Sequence, residues 1–448
     1  VGIIGVGFLF TFYDIFDINV SFIQTCIALN PGCTPHTALS ALSLPLVLNL
    51  AGYVVGTLVL SPMADRLGRR NMLVVTMLIT GVGSLYTALV GDYANFNAAR
   101  FVTGVGIGAD LAIVNAYINE VAPRAERAKF TSLIFLMSAI GAALGVWLGL
   151  VLSTPAAPWP EGLSFAQAGP DFSGEGWRWM YAIGALLALV GLLLRVELPE
   201  SPRWLIGRRR IEDAERIVRR MERIAARHGP LAPPATRPTT DLAEGKMPYR
   251  DLAQNSLYVR RVLLLVIVWL TGYTTVYAFA AGFTSLLTSL QYKPPEAGVI
   301  VAVGTAGFIL CGAFAVLFGE RLERKFWLPI SALITIAGGL TIALAGRSHL
   351  WAFIGAGIVF FGFNLWVPMT YAWSVENFPT RARTTGFALV DGVGHFGGGV
   401  GVLLITPIIP ELGTVQAFLL IAGFLVAAAI IAQLGVSTRS RRLEEVSP

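Results

Sequence analysis

The chain has 448 residues, of which 55% are hydrophobic and 13% charged, with a mean hydropathy of +0.68. A soluble domain with one ordinary core is far less apolar, so lipid is the expected solvent. The net charge of +6 would suggest nucleic acid in a soluble protein, but here it gathers in particular loops, and no nucleic-acid partner is expected.

Twelve apolar runs follow one another, near residues 1–28, 38–61, 71–91, 97–121, 129–153, 177–197, 260–290, 297–319, 327–346, 351–374, 384–408 and 413–435. We number them spans 1 to 12. Each approaches the roughly 20 helical residues that cross a bilayer core of about 30 Å. The runs are continuous rather than alternating, which disfavours a β-barrel. The first begins at Val1 with no methionine and no basic leader before it, so a missing or trimmed N-terminal tail is expected. Of 33 Lys and Arg, all but Arg100, Arg178, Lys293 and Arg347 fall in or beside the loops after spans 2, 4, 6, 8 and 10 and in the C-terminal tail. This predicts a multi-pass protein of the plasma membrane with both termini cytoplasmic.

An ionised group at the bilayer centre costs about 2.5–3.5 kcal/mol on insertion scales unless it meets a partner or water. Span 1 carries Asp14 and Asp17, three residues apart and on one helix face, followed by Gln24. Cys26 and Cys33 flank the first outer loop, and their spacing leaves a disulfide open. Span 2 contributes Asn49. Span 4 carries Arg100, then Gly104, Gly106 and Gly108, then Asp110 and Asn115. Arg100 and Asp110 should lie about 15 Å apart along the axis. The glycine run sits inside an apolar helix and not between a strand and a helix, so it is not a nucleotide site. Gly141, Gly145 and Gly149 on span 5, like Gly392, Gly394, Gly398 and Gly401 on span 11, suit close helix packing.

Residues 154–176 read as an irregular, Pro- and Gly-rich outer loop. Arg208–His228 has apolar positions at helical spacing and predicts an amphipathic cytoplasmic helix, followed by a Pro-rich tether over 229–244. In the second half, Trp269, Tyr273 and Tyr277 on span 7 and Asn364 and Trp366 on span 10 are candidates to pack on and orient a small organic solute. Tyr371 and Trp373, near the end of span 10, are expected in the interfacial aromatic belt. Asp391 and His395 on span 11 are four residues apart, a spacing that permits a carboxylate–imidazole contact. There is no Walker loop, and the four histidines and three cysteines show no metal spacing. No enzymatic activity, cofactor or metal is expected.

The chain repeats itself. Asp65-Arg-Leu-Gly-Arg-Arg70 after span 2 has a counterpart in Glu320-Arg-Leu-Glu-Arg-Lys325 after span 8, and Glu120 with Arg124 and Arg127 recurs as Glu376 with Arg381 and Arg383 after span 10. The chain therefore divides into a six-helix half over 1–198, a cytoplasmic linker over 199–259, a second six-helix half over 260–436 and a tail over 437–448. Such duplicated bundles can rock about a central site.

These motifs carry a resemblance. Ser61-Pro-Met-Ala-Asp65-Arg-Leu-Gly68-Arg69-Arg70 resembles the loop 2–3 signature of the major facilitator superfamily, with Ser61 where a Gly is usual. Pro199-Glu-Ser-Pro-Arg-Trp204 resembles the sugar-porter motif, and Arg100-Phe-Val-Thr-Gly-Val-Gly-Ile-Gly108 the glycine-rich fourth helix of that group. The resemblance spans the chain and implies an all-α fold of twelve transmembrane helices in two pseudo-symmetric six-helix bundles. It implies a cytoplasmic gate from Asp65, Arg66, Arg69, Arg70, Glu120, Arg124, Arg127, Glu200, Arg203, Glu376, Arg381 and Arg383. Tyr13-Asp14 resembles the Tyr-Asp pair of sugar and phosphate porters, and Gly-Ala-Asp110 the acidic motif of metabolite porters. Asp14 and Asp110 are thus the leading proton carriers, with Asp17 and Arg100 beside them, since desolvation favours a neutral carboxyl. His395 stands where related porters carry Lys or Arg. Tyr273 stands where phosphate porters carry Asp, which makes phosphate a minority reading. The expected function is proton-coupled uptake of a small polar or aromatic solute by a monomer, with an uncoupled facilitator, an exporter, an organic-anion porter or a membrane solute sensor as alternatives.

Overall fold

The computed structural model describes residues 2–121, 127–227, 249–290, 292–344, 348–378 and 383–439. Among them, eleven helices are long and apolar enough to cross a membrane. A twelfth span forms if Gly2–Phe16 and Ile18–Leu29, bent by 42° at their junction, are counted together. The described secondary structure is helical, with a single isolated bridge between Pro155 and Ala168. The chain is thus a multi-pass, all-helical membrane protein.

Local chemistry accounts for the breaks. Span 1 bends at Asp17, where the Ser21 hydroxyl bonds the Asp17 carbonyl and the Thr25 hydroxyl bonds the Ser21 carbonyl at 2.9 Å; such back-bonding four residues upstream bends helices. Span 2 runs over Ala38–Ala64 and contains a π-helical turn at Gly56–Leu60. Span 7 is Ser256–Ala280, broken at Ala281 and Gly282 and continued as Phe283–Leu290. Gly68 adopts φ +101° between Ser61–Leu67 and the span 3 helix Arg69–Leu89, a conformation available to glycine at little cost.

In the first half, span 2 packs on span 4, span 3 on spans 4 and 6, and span 1 on span 5. In the second, span 8 packs on span 10, span 9 on spans 10 and 12, and span 7 on spans 11 and 12. The halves meet along two main seams, span 2 with span 11 and span 5 with span 8. Exchanging the halves turns one seam into the other, as pseudo-two-fold symmetry requires. Spans 2 and 4 touch backbone to backbone: a Cβ on Gly52, Gly56, Gly104 or Gly108 would land on the carbonyl oxygen of Phe101, Val105, Asn49 or Tyr53.

The amphipathic helix expected after span 6 is present as Ile211–Ala226. Cys26 and Cys33 form a disulfide. Glu161 of the long loop pairs with Lys293 across the halves, and Trp159 packs edge-on to His349 at 5.4 Å.

Candidate functional site

Spans 7, 10 and 11 converge on a buried aromatic cluster. The His395 imidazole lies between Tyr53, stacked at 4.1 Å, and Tyr273, whose ring is 3.9 Å away. Tyr277 is 5.9 Å away, and Trp269 stacks on Tyr273 at 4.8 Å and packs on Trp366 at 5.0 Å. The helical spacing of Trp269, Tyr273 and Tyr277 puts all three on one face. His395 Nδ1 lies 2.8 Å from the Asp391 carbonyl and 3.4 Å from Asp391 Oδ1. Tyr53 donates to Asp391 Oδ2 at 2.6 Å, so the carboxylate of span 11 is held from the opposite half. Asp391 Oδ1 faces His395 Nδ1, and the Trp366 Nε1 is buried without a protein hydrogen-bond partner among the described residues.

Tyr371 does not sit in an interfacial belt. It is buried, its hydroxyl is 3.1 Å from that of Tyr273, and its ring meets Trp269 at 4.9 Å. Trp373 is also fully buried, and its Nε1 donates to the Val436 carbonyl at 2.8 Å. A belt residue would face lipid headgroups; both rings instead point inward on span 10.

Two ionic centres lie deep among the described residues of the first half. In one, Ser84 donates to Asp14 Oδ1 at 2.9 Å, and Arg100 Nη2 donates to the Asp14 carbonyl at 3.2 Å. Arg100 Nη1 lies 3.7 Å from Asp17 Oδ1. In the other, Asp110 is paired with Arg195 through both carboxylate oxygens, the second bond at 2.9 Å. Thr76 at 2.8 Å and Thr11 at 3.2 Å complete its shell. Arg100 therefore serves Asp14 and Asp17, while Asp110 is already neutralised by a residue that charge counting had placed with the loop arginines. Arg195 is fully buried.

A central cavity joins the halves. It is lined by Asn49, Tyr53, Arg100 and Tyr277 together with apolar side chains of spans 1, 2, 4 and 7, and has room for about one water molecule. Other sequence-selected polar groups are committed elsewhere. Asn49 and Asn364 donate to the Arg100 and Phe360 carbonyls at 2.8 and 2.9 Å, and Asn115 donates to the Leu111 carbonyl at 2.8 Å. Gln24 accepts from the Trp177 amide at 2.9 Å and donates to the Ser173 carbonyl at 3.2 Å. It thus ties span 1 to the end of the long loop and does not line the cavity.

At the arginine-rich end the duplication is visible as equivalent ion pairs. Arg69 pairs with Glu120 at 3.0 Å and donates to the Ala64 carbonyl at 2.9 Å. Arg324 pairs with Glu376 at 3.5 Å and with Glu320 at 2.9 Å, and reaches the Gly319 carbonyl at 3.4 Å. Glu200 accepts the Arg69 and Arg70 amides at 2.9 and 3.3 Å, capping the positive end of the span 3 helix. The Arg69–Glu120 and Arg324–Glu376 pairs each lie within one half, and Glu200 reaches the first half from the linker. Arg66 and Arg203 are exposed. Arg124 and Arg381 lie outside the described residues, as do the side chains of Asp65, Arg127 and Arg383.

At the opposite end, Asn19 spans the halves. Its Nδ2 donates to the Ala280 and Phe279 carbonyls at 2.6 and 3.3 Å, and its Oδ1 accepts from Thr284 Oγ1 at 2.7 Å. One side chain thus satisfies backbone groups freed by the break in span 7. Sequence reading passed over Asn19 and Tyr53; the signal available was a polar tip inside an apolar span.

A bundle of eleven to twelve spans in two equivalent halves, with buried charges at its centre, is the architecture of a major facilitator superfamily transporter. The chain belongs to the sugar (and other) transporter family, whose profile matches residues 2–448. It is 27% identical to the glucose transporter GlcP of Staphylococcus epidermidis, over 89% of this chain and 86% of that one. It is 25% identical to the niacin transporter NiaP of Acinetobacter baylyi, over 99% and 95% of the two chains. Among solved structures it is similar in fold to the proton:xylose symporter XylE bound to 6-bromo-6-deoxy-D-glucose, with a TM-score of 0.74, 20% identity and coverage of 99% and 97%. The family and these neighbours are transporters of small molecules.

Proposed function

We propose that the protein couples the inward flow of a proton to uptake of a small polar or aromatic organic solute by alternating access. The observation that carries this reading is the central cavity, lined by Arg100 of the first half and Tyr277 of the second, with Asp14 and Asp17 grouped about Arg100. A proton held by these carboxylates would alter the charge next to the solute. A niacin transporter among the relatives and a proton:xylose symporter among the structural neighbours support a small organic cargo and proton coupling.

In this reading the halves over 1–198 and 260–436 rock about the two seams, with 199–259 as linker and 437–448 as tail. The arginine-rich end and both termini face the cytoplasm of a plasma-membrane monomer. Arg69 with Glu120 and Arg324 with Glu376 fix the helix ends that form the cytoplasmic gate, and Asn19 acts at the outer one. Asp14 and Asp17 carry the proton; Tyr53, Trp269, Tyr273, Tyr277, Asp391 and His395 hold the solute.

The test is reconstitution in liposomes with an imposed pH gradient and a panel of sugars, aromatic and aliphatic acids, phosphate and organic cations. Accumulation of one class above equilibrium, lost when the gradient is collapsed, supports the reading. Equilibration without accumulation would leave a facilitator in its place.

A further inference from the structure

The segment that follows span 12 is bonded back onto the second half. Lys325 Nζ donates to the Gln433 and Gly435 carbonyls at 3.2 and 2.9 Å, and Trp373 Nε1 donates to the Val436 carbonyl at 2.8 Å. Thr438 is buried, and its hydroxyl donates to Glu376 Oε2. The first half makes the same set of contacts after span 6. There Arg70 donates to the Val196 carbonyl, Tyr117 to the Pro199 carbonyl at 2.8 Å, and the Ser201 hydroxyl to Glu120 Oε2. Val196, Pro199 and Ser201 are spaced as Gln433, Val436 and Thr438 are, and Tyr117 precedes Glu120 by the same interval as Trp373 precedes Glu376. In both halves the hydroxyl bonds the carboxylate that pairs with Arg69 or Arg324.

The two copies differ in the source of their other carboxylate. In the first, Glu200 of the linker accepts the Arg69 and Arg70 amides. Gly68 leaves it room, because a Cβ there would lie 2.3 Å from Glu200 Oε2. In the second, Ser437 precedes Thr438 as Glu200 precedes Ser201, and Glu323 precedes Arg324 as Gly68 precedes Arg69. Glu323 has an ordinary φ of −59°, open to any residue. Its Oε1 accepts the Thr438 amide at 3.0 Å and its Oε2 the Arg439 amide at 3.3 Å. The carboxylate has changed sides of the contact: the long side chain and the small residue have exchanged places.

We propose that residues 433–439 are a clasp of the second half, with Glu323 and Thr438 as positioning residues for the Arg324–Glu376 pair. Glu323 holds the segment by its backbone amides, and Thr438 then orients the Glu376 carboxylate toward Arg324. Each clasp needs one such carboxylate, and either side of the contact can supply it. The folded half then runs through Arg439, past the boundary expected at 436. This goes beyond the transporter reading, because the clasp joins the ends of spans 9, 10 and 12 whatever solute is carried. In a half that rocks, those ends turn as one body.

The experiment follows hydrogen exchange over residues 433–439 in the purified full chain in detergent, with thermal melting as the check on folding. Glu323→Gly should speed exchange of the Thr438 and Arg439 amides by about fivefold or more. E323G/S437E, which rebuilds the arrangement of the first half, should bring the rate back to within about twofold of the parent. A residue that merely filled space would not be replaced by a carboxylate on the opposite strand of the contact. Parent-like exchange in E323G overturns the proposal, and so does a double variant that melts with the parent yet stays unprotected. If the Glu323 variants do not fold, Thr438→Val decides, since it keeps the side-chain shape and removes only the donor to Glu376. Distances between spin labels at the arginine-rich ends of spans 9 and 10 should then broaden, and an unchanged distribution overturns the proposal.

Discussion

Tyr53 on span 2 donates to Asp391 Oδ2 at 2.6 Å, while its ring stacks on His395 at 4.1 Å, so one side chain of the first half closes the polar centre of the second. This bond exists only while the seam between spans 2 and 11 is closed, and a net intramolecular hydrogen bond contributes about 0.5–1.5 kcal/mol. Tyr53→Phe keeps the stacked ring and removes only the donor. The closed population should fall by about two- to tenfold, read as a wider inter-half distance distribution between spin labels on the two halves. An unchanged distribution would mean that the bond does not hold the seam.

By sequence Asp14 and Asp110 are equally the leading proton carriers, and the structure gives the two different environments. The pairing of Asp110 with Arg195 is buried, so Asp110→Asn leaves a guanidinium unpaired at a cost of about 3–5 kcal/mol. The variant should melt well below the parent, and D110L/R195M should recover most of the loss. Asp14→Asn should melt near the parent and lose gradient-driven accumulation. If D110N is as stable as the parent and D14N transports normally, the two roles are reversed.

These outcomes bear on how much the chain reveals when read alone. Span positions follow from runs of apolar residues, a local property, and the helices fall close to the expected ranges. The duplicated motifs also announce equivalent ion pairs, because Arg69 with Glu120 and Arg324 with Glu376 recur at nearly one sequence offset. Pairing between distant spans is a different matter. Arg195 sits near the end of span 6, where topology alone would account for an arginine, and only packing reveals that it points inward to Asp110. Tyr371 has the amphipathic character of a belt residue, and the direction it faces is set by neighbours that sequence spacing does not identify.

Close approach of spans 2 and 4 makes a steric prediction. A methyl at Gly104 would land on the Asn49 carbonyl oxygen, whereas the same change at Gly357 meets nothing within 4 Å. Gly104→Ala should cost about 1–3 kcal/mol or more by overpacking, seen as reduced yield and a lower melting temperature. Gly357→Ala should behave as the parent. Equal behaviour of the two would show that spans 2 and 4 can separate without loss.

Asn19 offers the sharpest separation of closure from binding, because it lies at the opposite end from the arginine-rich networks and makes its bonds across the halves. Asn19→Ala removes the partners of the Phe279 and Ala280 carbonyls and of the Thr284 hydroxyl, so the break in span 7 must find water instead. The break is tolerated only where such groups are satisfied, and the variant should therefore favour the state open at that end. Hydrogen exchange should rise for the amides around the break and along the outer part of span 1, while the arginine-rich end keeps the parent's protection. Solute binding from the Asn19 side should persist, since Asn19 is not among the cavity-lining residues, and net transport should slow because the closing step is weakened. Unchanged exchange at the break, or a loss of binding with transport, would place Asn19 in the solute site and not in its closure.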